Sequence, residues 1–156
     1  MTRDPVRAWV GLGANLGDAH AAVEAALAAL DSIADTRLVK RSSLYRTAPW
    51  EASGPDFFNA VAEVETRLTA PDLLHALRGL EQAAGRERPY VNAPRTLDLD
   101  LLLYGSASVS SAFLTVPHPR MWQRAFVLMP LAEVAPDLVP ASALDAVADQ
   151  AIERRV

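Results

Sequence analysis

Apolar residues alternate with polar ones, or form short apolar runs, in four segments of the chain. These predicted strands cover residues 7–12, 36–45, 57–66 and 96–104. In the third segment the even-numbered positions from Phe58 to Val64 form a small apolar face, and Phe57 and Asn59 fall on the opposite face. The stretch GLGANLGD at 11–18 predicts a tight turn after the first strand, and TAPWEASGPD at 47–56 predicts a loop.

Helical spacing and capping residues predict two main helices between these strands. Asp18 is suited to cap a helix that runs to about Leu30. Thr69 begins a second helix with a capping-box-like start, and Gly85 suits its end. The order strand–helix–strand–strand–helix–strand predicts a ferredoxin-like α+β sandwich, with additional C-terminal helices at 124–134 and 142–154. We expect a single domain over residues 1–156.

The composition is that of a globular protein, with 51% hydrophobic and 22% charged residues, which excludes a wholly disordered chain. No apolar run approaches the ~18 residues of a membrane span. The N-terminus shows no secretory h-region, so we expect a cytoplasmic protein without membrane contact. The absence of cysteine excludes disulfides, thiolate zinc sites and cysteine nucleophiles.

The charge pattern argues against nucleic acid as a partner, because the net charge is −4 and nucleic-acid binding favours a basic face. Fourteen of the fifteen basic residues are arginine, Lys40 being the exception. Compositional bias in an alanine-rich chain accounts for most of this excess. The alternative is that some arginines bind phosphate oxygens, for which their planar fork is suited.

The strongest chemical signal is the pair Asp98 and Asp100 in the fourth predicted strand. Residues two apart in a strand point to the same face, so both carboxylates project together. Such a pair suits Mg²⁺, which takes one or two carboxylates plus waters and substrate phosphates. A solvated strand edge would explain two aspartates equally well. The nearby Arg86, Arg88 and Arg95 favour a nucleotide phosphate site.

Other motifs exclude more than they establish. The glycines at 11, 13 and 17 do not fit the G-x-G-x-x-G spacing of a dinucleotide-binding oxidoreductase, and no Walker loop is present. A ferredoxin-like RNA-recognition module is disfavoured because its aromatic motif is absent. Among the histidines only His118, between two prolines, is a site candidate. Phe57 beside Asn59 could stack and hydrogen-bond a heterocycle, or Phe57 could pack beneath the following loop.

Seven stretches of the sequence together resemble the 6-hydroxymethyl-7,8-dihydropterin pyrophosphokinase family of folate biosynthesis. They are GLGANLGD (11–18), SSLYRTAPW (42–50), PDFFNAV (55–61), LEQAAGRER (80–88), PRTLDLDLLLYG (94–105), TVPHPRM (115–121) and RAFVLMPLAEVAP (124–136). The resemblance implies a ferredoxin-like fold and the transfer of pyrophosphate from ATP to the pterin's 6-hydroxymethyl oxygen, with release of AMP. It also implies a chain, which we expect to be a monomer, whose partners are these small molecules.

The same resemblance implies a role for each candidate site residue. Asp98 and Asp100 would hold two Mg²⁺ ions, and Arg86 and Arg95 would be the catalytic pair at the phosphates. The residues on the ATP side would be Glu81, Arg86, Arg88, Arg95, Leu101, Thr115, His118 and Arg124. Those on the pterin side would be Thr47, Ala48, Pro49, Trp50, Phe57, Asn59 and Phe126.

Overall fold

The computed structural model describes residues 3–15, 17–48, 55–85 and 97–155. Within these ranges the strands are β1 (Val6–Ala14), β2 (Thr36–Arg41), β3 (Leu44–Thr47), β4 (Phe57–Thr66), β5 (Asp98–Tyr104), β6 (Val109–Ser110), β7 (Thr115–Val116) and β8 (Glu153–Arg155). The α-helices are α1 (Ala19–Leu30), α2 (Ala70–Gly85), α3 (Ala125–Val134) and α4 (Ala141–Ala146). No helix in the described ranges is long and apolar enough to cross a membrane.

One antiparallel sheet organises the chain, with the strand order β5-β1-β4-β3-β8 and with β2 also paired to β4. β1 is therefore bonded on both sides, to β4 and to β5. Strands β6 and β7 form a separate short hairpin. With α1 and α2 inserted between the strands in the predicted order, this is the ferredoxin-like α+β sandwich expected from the sequence.

Each face of the sheet is covered by its own hydrophobic core. Helices α1 and α2 pack on the face formed by Val10, Ala62 and Leu99. Helix α3 packs on the other face, over Val61 and Leu102. The alternation predicted for β4 is confirmed, since its even-numbered residues belong to the first core. We refer to the two sides as the α1/α2 face and the α3 face.

The predicted starts of the two main helices are confirmed by their caps. The Asp18 side chain accepts a hydrogen bond from the Ala21 amide at 3.0 Å, at the start of α1. The Thr69 hydroxyl accepts one from the Asp72 amide at 3.2 Å, at the start of α2. Each bond satisfies an amide that has no partner within the first helical turn.

Strand β1 is longer than the strand predicted at 7–12, because it begins at Val6 and includes Gly13 and Ala14, which the glycine motif had assigned to a tight turn. Gly17 has a φ of 60°, in the left-handed region that favours glycine. Backbone pairing with both β4 and β5 holds Gly11 and Gly13 in the strand. Local turn propensity is thus overridden by pairing on both sides.

The single strand predicted at 36–45 is wrong, because the chain forms two strands, β2 and β3, that are separated at Ser42. The Ser42 amide donates to the Val61 carbonyl and the Ser42 hydroxyl accepts from the Val61 amide, both at 2.9 Å. Ser42 is buried, and its hydroxyl replaces a backbone acceptor at this break in the ladder.

The C-terminal helix predicted at 142–154 is also wrong in its second half. Helix α4 ends at Ala146, and β8 pairs with β3. The edge of β3 offers backbone donors and acceptors that a strand satisfies and a helix does not. An ion pair of 2.9 Å between Arg46 and Glu153 joins the two strands.

A carboxylate in α3 ties that helix to β3. Glu133 accepts hydrogen bonds from the Ser43 amide at 3.0 Å and from the Tyr45 hydroxyl at 2.8 Å, and Arg154 lies 3.5 Å away. Burial raises the pKa of Tyr45 to about 12, and the bond to Glu133 adds to this. Burial alone would also raise the pKa of Glu133, but the bonds from Tyr45 and Ser43 outweigh it and hold that pKa below its ordinary value.

We expect Glu133→Gln to lower the free energy of unfolding at neutral pH. A carboxylate whose pKa is lowered by folding stabilises the folded state at pH values above its ordinary pKa of 4.5. That stabilisation is lost as the pH falls through the lowered pKa of the folded state. The difference between the wild type and the variant should therefore shrink in acid, as measured by urea unfolding at several pH values. Glu153→Gln is the control, because its exposed ion pairs contribute little. A difference that does not change with pH would contradict this role for Glu133.

Candidate active site

Two glycines in β1 lie between candidate site residues of β4 and β5 on the α3 face. Gly13 is paired with Asn59 of β4 on one side and with Asp98 of β5 on the other. Gly11 is paired in the same way with Val61 and Asp100. Directly paired residues share a face of the sheet, so Asn59 and both aspartates project to the same side. Between them β1 contributes only backbone.

The glycine at position 13 is required by the close approach of Asn59. A Cβ atom at this position would lie 2.9 Å from Oδ1 of Asn59, whereas one at Gly11 would meet Leu102 at 3.4 Å, which is an ordinary van der Waals contact. The space above Gly13 is therefore available to the amide of Asn59. This close approach to the backbone occurs within a strand and not in the tight turn predicted for the motif.

Four of the residues predicted on the pterin side lie together at the ends of β3 and β4. Asn59 is 5% exposed, and its Nδ2 donates to the Thr47 hydroxyl at 3.2 Å. Phe57 is paired with Thr47 across the two strands and is half-buried. Ala48 follows directly and is exposed. This arrangement sets a polar amide beside an aromatic ring on the α3 face.

Phe126 and Arg124 lie at the start of α3. Phe126 packs against the α3-face core while remaining partly exposed. The Arg124 guanidinium carbon lies 5.3 Å from the centre of the Phe126 ring, within the range of a cation–π contact. The cation and the ring, predicted for two different ligands, are therefore neighbours.

His118 is held beside β5, with its amide donating to the Leu102 carbonyl at 2.9 Å. Burial lowers the pKa of His118, Asp100 opposes this, and Arg124, Arg120 and Arg78 lower it further. The imidazole is therefore neutral near pH 7. Its Nδ1 accepts from the Arg120 amide at 3.2 Å, which assigns the proton to Nε2.

The two aspartates fit a magnesium site that is completed by a substrate. Asp98 is exposed and Asp100 is half-buried, on the same face of β5. In the described part of the chain no three His, Cys, Asp or Glu side chains are grouped so as to hold a metal ion. Mg²⁺ requires only one or two protein carboxylates when phosphates and waters supply its other ligands. The donor set present suits that mode of binding.

The other described residues predicted on the ATP side differ from one another in burial and in hydrogen bonding. Thr115 is exposed in β7. The side chain of Leu101 is buried in the α1/α2 core, so only its backbone could face a ligand. The carboxylate of Glu81 accepts from the Leu99 amide at 2.7 Å and from Arg78 at 2.9 Å.

Arg78 is a residue that the sequence analysis missed, since helical periodicity assigns it, with Glu81, to the side of α2 away from the core. Its guanidinium instead donates to the Leu99 carbonyl at 2.7 Å. The i,i+3 spacing of an arginine and a glutamate was the available signal. Five predicted residues lie outside the described ranges: Pro49, Trp50, Arg86, Arg88 and Arg95.

We expect Gly13→Ala to destabilise the fold, because its Cβ would meet the Asn59 amide and disturb the bond to Thr47. Overpacking of this kind costs roughly 1–3 kcal/mol. Gly11→Ala is the matched control, since its Cβ would make only ordinary van der Waals contact with Leu102. Urea unfolding of the two variants measures the difference. Equal stability of both variants would show that Asn59 does not need this space.

Solved structures share this fold. The chain superposes on a bifunctional HPPK-DHPS triple mutant from Plasmodium falciparum with a TM-score of 0.69 at 13% identity, covering 91% of this chain and 42% of that one. The wild-type form gives a TM-score of 0.64 over 85% of this chain and 38% of the other. This chain thus spans less than half the length of those bifunctional chains.

Relatives of similar length are more alike in sequence. The 2-amino-4-hydroxy-6-hydroxymethyldihydropteridine pyrophosphokinase of Methylorubrum extorquens is 45% identical over 134 residues, which cover 85% of each chain. Its namesake from Pseudomonas aeruginosa is 47% identical over 133 residues, or 85% of this chain and 82% of that one. The model of the 7,8-dihydro-6-hydroxymethylpterin-pyrophosphokinase (HPPK) family matches residues 9–136. The chain therefore belongs to the HPPK family.

Proposed function

We propose that this protein transfers the pyrophosphoryl group of MgATP to the 6-hydroxymethyl oxygen of 6-hydroxymethyl-7,8-dihydropterin and releases AMP. The observation that carries the proposal is the arrangement of Asn59, Asp98 and Asp100 on one sheet face, in a chain of the HPPK family. In the reaction a bond forms between the hydroxymethyl oxygen and the β-phosphorus of ATP. The bond from that phosphorus to the α,β-bridging oxygen breaks, and the hydroxyl proton is released.

The spacing of the strands supports a site for two ligands. Asn59 and Asp98 belong to β4 and β5, which lie on opposite sides of β1. Two strand spacings amount to roughly 9–10 Å, and only glycine backbone lies between the two side chains at this row. A pterin bound at the amide could then direct its hydroxymethyl group toward phosphates bound at the carboxylates.

For the pterin we propose a pocket of aromatic and amide groups. Asn59 would hydrogen-bond the edge of the heterocycle, where an amide can both donate and accept. Phe57 and Phe126 would stack on its two faces, since both rings are partly exposed on the α3 face. The backbone of residues 47–50 would complete this pocket.

For the nucleotide we propose that Asp98 and Asp100 hold two Mg²⁺ ions. Bound there, Mg²⁺ neutralises negative charge on the triphosphate. Arg86 and Arg95 would bind the transferring phosphates. Transfer of this kind depends mainly on positioning and electrostatic stabilisation, so it needs no strong general base.

The remaining ATP-side residues would bind the rest of the nucleotide: Glu81, Arg88, Leu101, Thr115, His118 and Arg124. His118 is suited to donate from Nε2 to a phosphate or ribose oxygen, because its imidazole is neutral with Nδ1 already bonded. Leu101 would take part through its backbone, since its side chain is buried in the α1/α2 core.

Mixing the protein with MgATP and hydroxymethyldihydropterin should yield AMP and the pterin diphosphate in equal amounts, measured by chromatography.

We expect Asp98→Ala and Asp100→Ala each to lower turnover by at least about a hundredfold, because each removes a carboxylate needed at the triphosphate. Asp145→Ala is the control, being an exposed aspartate in α4. Near-normal Mg²⁺-dependent activity in either site variant would overturn the metal assignment.

We expect Asn59→Ala to weaken pterin binding by about 1–3 kcal/mol, because it leaves donors and acceptors on the edge of the ring unpaired. The measurement is a titration with pterin in the presence of a non-hydrolysable ATP analogue. Affinity for the analogue alone serves as the internal control and should not change. The opposite result, with nucleotide affinity lost and pterin affinity kept, would show that the pterin assignment of Asn59 is wrong.

A further inference from the structure

Among the described strands β5 forms one edge of the sheet, where one side of its backbone is not paired with another of them. Polar groups of this edge still need hydrogen-bond partners. Near the middle of β5 the Leu102 carbonyl accepts from the His118 amide at 2.9 Å. Near its start, the partners are two side chains of α2.

Arg78 and Glu81 together bind the backbone of Leu99 on both sides of its Cα atom. Glu81 Oε2 accepts from the Leu99 amide at 2.7 Å, and Arg78 Nη1 donates to the Leu99 carbonyl at 2.7 Å. Arg78 Nη1 also donates to Glu81 Oε1 at 2.9 Å. We call this set of three bonds the Leu99 clamp. Its bonds all involve a charged group, and such bonds are shorter and stronger than neutral ones.

The Leu99 clamp acts on the two peptide units that carry the candidate metal ligands. The Leu99 amide belongs to the peptide unit that joins it to Asp98, and the Leu99 carbonyl belongs to the unit that joins it to Asp100. Fixing both planes fixes the directions in which the two carboxylates leave the strand. On the opposite side, Gly11 and Gly13 of β1 have no side chains with which to support these carboxylates.

Packing of α2 does not by itself explain the clamp. Leu73 and Leu77 are fully buried and already attach the helix to the sheet. The Glu81 side chain is only 10% exposed, and an ionised carboxylate in that position loses hydration. The Arg78 side chain is 41% exposed, and an ion pair with so exposed a partner adds little to stability. The pair therefore favours a function in orientation.

We propose that Arg78 and Glu81 are positioning residues, which hold Asp98 and Asp100 in the orientation that binds the divalent ion. The inference rests on the proposed function, because the metal role of the two aspartates is part of it. Neither residue needs to touch the ion for this effect. Residues that orient metal ligands in this way typically change metal affinity or activity by about 10–100-fold when replaced.

The test compares Arg78→Met and Glu81→Gln with Arg37→Met as the matched control. Arg37 also forms an ion pair with a glutamate, Glu65, at 2.7 Å, but on β2 and β4, where it has no contact with β5. Binding of Mn²⁺ in the presence of a non-hydrolysable ATP analogue is followed by electron paramagnetic resonance. Affinity for the metal-free analogue is measured separately, and amide exchange at Leu99 is followed by NMR.

We expect both clamp variants to bind Mn²⁺ about tenfold more weakly. Exchange of the Leu99 amide should become faster in Glu81→Gln and Arg78→Met, and neither quantity should change in Arg37→Met. Arg78→Lys should recover part of the loss, because a lysine keeps a charged donor, and it also serves if Arg78→Met folds poorly. In Arg78→Met the affinity for the metal-free analogue should be unchanged.

The inference is overturned if Mn²⁺ affinity in the folded Arg78 variants equals that of the wild type. It is also overturned if the metal-free analogue is lost in Arg78→Met to the same extent as Mn²⁺, because the residue then acts on the nucleotide. Failure of the proposed function looks different, since the wild type would then produce no AMP or bind no Mn²⁺. If the wild type produces AMP and binds Mn²⁺, and the Arg78 variants bind Mn²⁺ as tightly as the wild type, only the role of the Leu99 clamp is rejected.

Discussion

The pairing of β1 with β4 on one side and with β5 on the other is the constraint on which the site depends. It aligns Asn59, Gly13 and Asp98 in one row across three strands, and Val61, Gly11 and Asp100 in the next row. Any larger residue at the centre of the first row would collide with the amide. Bare backbone therefore separates the amide from the carboxylates, and this gap is the place that we propose for the meeting of the two substrates.

The backbone edges of β5 and β3 are bound by different means. At β5 the Leu99 clamp and the His118 amide bind the free backbone groups. At β3 the strand β8 supplies a short further ladder. Side-chain and loop partners thus bind the edge at β5, whereas a further strand extends the sheet at β3.

Buried polar side chains on the α3 face form hydrogen bonds that replace those to water. Buried Glu63 accepts from Trp9 at 3.0 Å and also pairs with Arg7. Glu133 binds Tyr45 and Ser43. Within the described ranges no buried side-chain nitrogen or oxygen lacks a hydrogen-bond partner. The polar network on this face thus fixes α3, and with it Phe126, relative to β3 and β4.

The sequence by itself determined the parts of this protein that depend on neighbours along the chain. Asp18 and Thr69 mark their helix starts because caps act within three residues. The alternation of β4 assigned Asn59 to the α3 face, and the two-residue spacing assigned Asp98 and Asp100 to one side of β5. A family resemblance carried by several ordered motifs supplied the candidate roles.

Only the tertiary structure decided the features that depend on partners distant in sequence. Gly13 is indistinguishable from a turn glycine until β4 and β5 pair on either side of it. The segment that forms β8 has no strand signal of its own and takes its form from the open edge of β3. Arg78 and Glu81 have the periodicity of an exposed helical face, and they bind β5 because an edge strand presents unpaired backbone groups there. The local sequence pattern predicts the face of a strand or helix on which a side chain lies. Its distant partners are decided by the fold, because backbone groups left unpaired at strand edges need hydrogen-bond partners.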